Sequence, residues 1–161
     1  MKYIYAGAIF NPDHKYRYEL CRRWGYGGRN INFVGLNPST ANETTDDPTI
    51  RRCVGFAQAW GFDEMHMLNL FALVSSDPFA LCSTKIDPIG LENDSYLRCL
   101  NPETIVIAWG SWGKLRVNTI KDRVRTVLGY FDNPYCLGRN KDGEPKHPLY
   151  LPGDTKLILY K

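Results

Sequence analysis

The sequence predicts an α/β fold: a three-layer α/β/α sandwich around a mostly parallel sheet, with an antiparallel hairpin at its N-terminal side. Three observations lead there. Apolar stretches of strand length alternate with helical stretches through the middle of the chain, at 31–36, 48–60, 64–68, 90–100, 104–109 and 114–128. Such alternation calls for a parallel sheet covered on both faces. The stretch TIVIAW at 104–109 is almost wholly apolar, as a strand buried on both faces must be. A length of 161 residues suits one domain with a single core.

Taken in order, residues 3–10 and 16–24 read as two strands joined at Asn11-Pro12-Asp13, an antiparallel hairpin. Arg17, Arg22, Arg23 and Arg29 make this region basic and are expected on a solvated face. The strand 31–36 stops abruptly in Gly35-Leu36-Asn37-Pro38. That places a polar side chain at a strand's carboxyl end, where open α/β sheets bind ligands. Asp47 is a candidate N-cap, with Pro48 at the first helical position. Ile50, Val54 and Phe56 or Ala57 supply that helix's apolar face, and Gly61 ends it. The next strand, 64–68, delivers Asn69 to its carboxyl end.

Asp77-Pro78 opens a short helix, and 90–100 forms another. The apolar strand 104–109 ends in Gly110-Ser111-Trp112-Gly113 and leads into a helix over 114–128. That helix carries Lys114, Arg116, Lys121, Arg123 and Arg125. Residues 135–137 are a further strand, 138–146 a polar loop, and 155–160 an apolar strand or tail. In a parallel sheet the ends at Asn37, Asn69 and Gly110-Ser111 share one edge, and the loop after residue 146 brings in His147.

The composition is that of an ordinary globular protein, with 43% hydrophobic and 23% charged residues. A net charge of +3 permits contact with nucleic acid without demanding it. The five cysteines, Cys21, Cys53, Cys82, Cys99 and Cys136, form no CxxC pair. Neither a zinc site nor an iron–sulfur cluster is expected, and each thiol reads as a small buried hydrophobe in a reducing compartment. No run approaches the roughly 18 apolar residues of a membrane span, and the N-terminus lacks a signal-peptide pattern. The expectation is a cytoplasmic protein with no membrane association, metal or cofactor.

Four motifs then stand in order: GLNP at 35–38, MLN at 67–69, AWGS at 108–111 and HPLYLP at 147–152. Their order and placement resemble the uracil-DNA glycosylase superfamily, which has a GxDP or GxNP loop, a strand ending in Asn, a WGS-like strand end and an HPSPLS-like loop. Over nearly its full length the chain also resembles the family called domain of unknown function 1643. That resemblance rests on RYELCRRWG at 17–25, GLNPSTAN at 35–42, DDPTIRRCVGFAQAWG at 46–61, NLFAL at 69–73, DPIGLEND at 87–94 and KHPLYLP at 146–152. It brings no established activity.

The superfamily resemblance implies hydrolysis of the bond between a base and deoxyribose, with the base flipped into a pocket. By position Asn37 matches the residue that orients the water, and His147 the one that donates to the base oxygen. Asn69 matches the residue that reads the base edge with its amide. Phe56 and Phe71 are the two candidates for the ring that stacks on the base. Gly110 and Ser111 match the strand end that contacts phosphate, and Leu151, with Tyr150, the apolar wedge that fills the vacated stack. The implied partner is DNA or a nucleotide, in base repair or modification.

The chain departs from that pattern in three places. Asn37 stands where the uracil-specific branch has an Asp, and a neutral amide is a poor base. Ser39 replaces a pocket-crowding Tyr, which would admit larger bases, and the last loop lacks both serines. The acidic loop 43–47 has no counterpart; Asp46 and Asp47 read as capping residues, with a different substrate or a metal as the alternative. Two rival functions stay open: a non-catalytic module that binds a nucleotide or base, and an enzyme of the nucleotide pool on the same scaffold.

Overall fold

The computed structural model describes residues 2–82, 85–100, 104–112, 115 and 118–161. Its centre is a seven-stranded sheet. The strands are β1 (Tyr5–Phe10), β2 (Arg17–Arg23), β3 (Asn30–Gly35), β4 (Glu64–Asn69), β5 (Ile105–Ile107), β6 (Tyr135–Cys136) and β7 (Ile158–Leu159). Their spatial order is β1-β2-β4-β3-β5-β6-β7. The block β4-β3-β5-β6 is parallel, while β1 and β2 run antiparallel on one side and β7 on the other.

Three helices cover the sheet: α1 (Pro48–Ala59), α2 (Asn93–Arg98) and α3 (Asn118–Leu128). Alternation within each strand divides the core. Ile31, Phe33, Met65, Met67, Val106 and Ala108 pack with Ile50, Cys53, Val54, Phe56 and Ala57 of α1. Val34, Leu68, Ile105 and Ile107 face the other way, onto Leu97 of α2 and Ile120, Val124 and Val127 of α3. Burial on both faces is why 104–109 had to be apolar. Each fully buried Leu, Ile or Phe of these layers contributes about 1.5–3 kcal/mol.

Local chemistry sets the ends of α1. Asp47 accepts a hydrogen bond from the Ile50 amide at 2.8 Å, with Pro48 beginning the helix. Such a cap stabilises by about 1 kcal/mol. Gly61, at φ +79°, reverses the chain after the helix. The last helix begins at Asn118; Gly113, Lys114 and Arg116, expected at its approach and first turn, lie outside the described residues.

The hairpin departs from expectation at its arginines. Arg23 and Arg29 are exposed, but Arg17 is 2% exposed and Arg22 is fully buried. The Arg22 Nε donates to Asp46 Oδ1 at 2.8 Å, and its Nη atoms donate to the carbonyls of Cys21, Gly7 and Asn42. Asp46 also accepts from the Tyr3 hydroxyl. Asp46 therefore serves the fold through Arg22 and Tyr3, and Asp47 caps α1.

A β-bulge accounts for Arg17. Ile9 pairs with Glu19 and the next residue, Phe10, pairs with Arg17, so Tyr18 is the extra residue in β2. Strict alternation would turn Arg17 away from the face that Leu20 and Arg22 occupy; one extra residue re-aims it onto that face. Two cysteines also depart from expectation: Cys21, Cys53 and Cys136 are buried, but Cys82 is partly exposed and Cys99 exposed. No helix among the described residues is long and apolar enough to cross a membrane.

Candidate functional site

The chain leaves β3 for β4 on one side and later returns to β5 on the other. The strand order therefore reverses between β3 and β5, the position at which an open α/β sheet leaves a crevice beyond its carboxyl edge. A cleft of about 220 Å³ lies there. That is smaller than the ~300–1,000 Å³ of pockets for drug-sized ligands and suits a single-ring ligand. Gly35, Leu36 and Asn37 from β3, Asn69 from β4, Ala108 and Trp109 from β5, and His147 all line it. Arg17, Ser39, Asp47, Thr49, Ser75 and Ser76 complete its polar wall.

Asn69 is 3% exposed, and its side-chain Nδ2 is buried without a hydrogen-bond partner. A buried donor left unpaired costs about 1–3 kcal/mol, so an acceptor from a water or a ligand would stabilise it. The backbone around it is rigid. The Asn93 side chain donates to the carbonyls of Asn69 and Leu70 at 3.1 Å each, and Arg123 Nε donates to the Leu70 carbonyl at 2.6 Å. Thus α2 and α3 hold the end of β4 from the opposite face.

Asn37 is committed differently. Its Nδ2 donates to the carbonyls of Pro38 (3.0 Å), Leu73 (3.4 Å) and Ser75 (2.9 Å). Carbonyl acceptors on one side fix the orientation of the amide, leaving Oδ1 as the atom that can accept from a water or ligand.

His147 opens a 3-10 turn over Pro148–Tyr150, and its Nδ1 accepts from the Leu149 amide at 3.3 Å. An accepting Nδ1 leaves the proton of the neutral ring on Nε2, which becomes a donor. Burial pushes the ring pKa down, with the charge of Asp47 opposing it. The turn is placed by two contacts. Arg52 of α1 donates to the Leu151 carbonyl. Gly110, at φ +77°, lets the His147 turn approach so closely that an added Cβ would lie 3.1 Å from His147 Cβ.

A second groove, of about 720 Å³, adjoins the cleft and shares Pro78, Trp109 and His147 with it. Gly110, Ser111, Asn140, Lys146, Tyr150 and Leu151 line it, so all four residues matched to DNA contact meet there. Tyr150 is 85% exposed. Neither Phe56 nor Phe71 is placed to stack on a ligand: both are at most 1% exposed, packed in the two cores, and line neither cavity. The aromatic ring at the cleft is Trp109, whose Nε1 donates to Glu144 at 2.7 Å.

A family model described as protein of unknown function (DUF1643) matches residues 17–149. The chain belongs to this family. No curated protein and no solved structure matches it. The DUF1643 match begins at Arg17 and runs to the turn after His147, so it spans every cleft residue named above.

Sequence reasoning missed Arg17, Asp47 and Trp109 among the cleft residues, and with them Thr49, Ser75 and Ser76. Arg17 was hidden by the bulge at Tyr18. Asp47 was assigned to the helix cap, which it forms through Oδ1 while also lining the cleft. Trp109 stands inside the AWGS motif, in which only Gly110 and Ser111 are given a role by the resemblance. Away from the cleft, Cys21, Glu64 and His66 bring ligand-type atoms within 4.8 Å of one another. They satisfy each other: Cys21 Sγ meets Glu64 at 3.1 Å, and His66 meets Glu19 through Nδ1 at 2.5 Å and Glu64 through Nε2 at 3.2 Å.

Proposed function

We propose that this DUF1643 protein accepts a nucleobase in the carboxyl-edge cleft and hydrolyses its N-glycosidic bond, as the resemblance to the uracil-DNA glycosylase superfamily implies. The observation that carries the reading is the unpartnered, buried amide of Asn69 in a cleft of single-ring size, beside Asn37 and His147. Asn69 offers Nδ2 to a base oxygen, and His147 offers Nε2–H to another. Both donors act where negative charge builds as the base departs.

The reaction balances as follows. A water oxygen bonds to the sugar's anomeric carbon, the C–N bond breaks with its electron pair on the base, and the water gives up a proton. Asn37 Oδ1 holds the water as an acceptor. Asp47 supplies the carboxylate that the strand-end motif lacks: Oδ1 is held by the Ile50 amide, and Oδ2 is left to receive the proton or to face the developing sugar cation. The adjoining groove, with exposed Tyr150 and Lys146, offers a surface for the DNA flanking the flipped nucleotide.

A second reading, base binding without cleavage, is favoured by the commitment of the Asn37 amide to three loop carbonyls. Duplexes carrying damaged, mismatched or hypermodified bases separate the two. The enzyme reading expects abasic sites from wild type and none from Asp47→Asn. The binding reading expects base-dependent retention that Asn69→Ala abolishes, with the base still attached and no abasic site formed.

A further inference from the structure

We infer that Arg17 is an anion-recognising residue of the cleft, and that the ligand presents an oxyanion, carboxylate or phosphate, at that end. The inference rests on the base-pocket reading and names the charge of what that pocket holds.

Three described arginines are buried below 5% exposure: Arg17, Arg22 and Arg123. Two of them show how this fold buries a guanidinium for structural purposes. Arg22 pairs with Asp46 at 2.8 Å and Arg123 with Asp94 at 2.6 Å. Arg17 has no carboxylate within ion-pair distance among the described residues. Its Nη1 donates to the Ala41 carbonyl at 2.7 Å, and its Nε is buried with no partner.

Burying a charge without a counter-charge is costly, and the fold has found partners for the other two. Arg17 lines the cleft together with Asn69, and Arg17 Nε and Asn69 Nδ2 are both buried there without a partner. Asp47 lines the same cleft, yet it lies too far away to pair. Burial still lowers the Arg17 pKa to about 10, with Asp47 opposing the shift. The bulge at Tyr18 re-aims Arg17, and the Arg17 amide is tied to the Ala72 carbonyl at 2.9 Å. The side chain is held in place before any ligand arrives. A planar guanidinium fork matches the two oxygens of a carboxylate or phosphate.

The test measures binding by calorimetry and thermal shift with four probes: uracil, orotate, deoxyuridine monophosphate and inorganic phosphate. Wild type should bind orotate or deoxyuridine monophosphate at least about tenfold more tightly than uracil. Arg17→Met should abolish that preference while keeping its melting temperature, because it removes an unpaired buried charge. Arg17→Lys should retain part of the preference. Preference for orotate over deoxyuridine monophosphate places the oxyanion on the base, and the reverse places it on the sugar.

Equal binding of uracil, orotate and deoxyuridine monophosphate, unchanged in Arg17→Met, overturns the anion inference and leaves the base pocket standing. Binding of inorganic phosphate that Arg17→Met removes, with no binding of any base, upholds the anion site and overturns the base pocket. A large fall in melting temperature in Arg17→Met, with the probe preferences intact, makes Arg17 a structural residue. No binding of any probe overturns both.

Discussion

Gly35 and Asn69 stand directly opposite each other on the parallel β3–β4 ladder, and Asn69 Oδ1 lies 2.8 Å from where a Cβ on Gly35 would sit. The missing side chain of one residue thus makes room for the amide of the other. Gly35→Ala should leave the sheet intact, because the clash falls on the end of a side chain, while displacing the Asn69 amide. The expected result is a melting temperature near wild type and ligand affinity reduced as far as in Asn69→Ala. Affinity equal to wild type would mean that Asn69 does not read the ligand.

Asn37 gives a sharper contrast. Its Nδ2 faces the carbonyl oxygens of Pro38, Leu73 and Ser75. Asn37→Ala removes those bonds and should cost about 1–3 kcal/mol in urea unfolding. Asn37→Asp keeps the shape but turns an acceptor toward three acceptors, so it should destabilise more than Ala does. An Asp variant as stable as wild type would show that the amide does not hold the 73–75 segment. The same geometry explains physically why this strand end carries an amide, which can donate to the three carbonyls, rather than a carboxylate, which cannot.

Asp46 neutralises a fully buried guanidinium. Asp46→Ala would leave Arg22 charged and unpaired inside the protein, and breaking such a pair costs about 3–5 kcal/mol. Asp46→Asn, which preserves acceptors, should cost less. Chemical denaturation of both variants checks the order.

Two histidines should bend the pH profile of stability in adjoining windows. At His66 burial disfavours the charged ring, but the hydrogen bond and charge of Glu19, with Glu64, outweigh it and raise the pKa above the ordinary 6.5. Its stabilisation is complete below 6.5 and is lost as pH rises through the raised folded value. At His147 burial lowers the pKa below 6.5, so stability is lost as pH falls from 6.5 through the lowered value. Thermal unfolding across pH should show His66→Gln flattening the alkaline side and His147→Gln the acidic side.

Much of this was legible in the sequence. Alternating apolar stretches gave the parallel block β4-β3-β5-β6, although the sheet as a whole is mixed, with three parallel and three antiparallel pairings; Asp47-Pro48 gave the start of α1, and the residues closing β3 and β4 gave Asn37 and Asn69. Arg17 was not legible, because a one-residue bulge inverts the face that alternation assigns and nothing in RYELCRR signals it. Phe56 and Phe71 do not reach the cleft, and a buried aromatic and a pocket aromatic look the same in sequence; only packing distinguishes them, Phe56 on the buried face of α1 and Phe71 in the opposite core just beyond β4. Asp47 shows a different limit, in that a residue recognised as a cap through one oxygen also lines the cleft.

The activity proposed for the cleft is hydrolysis of the bond between a base and its sugar. The most direct measurement is release of free base from duplexes bearing modified and mismatched bases, by wild type, Asn69→Ala and Asp47→Asn proteins of verified fold. The account predicts base release and abasic sites from wild type with at least one base, strongly reduced in both variants. No release with any base, or release that both variants match, would contradict it.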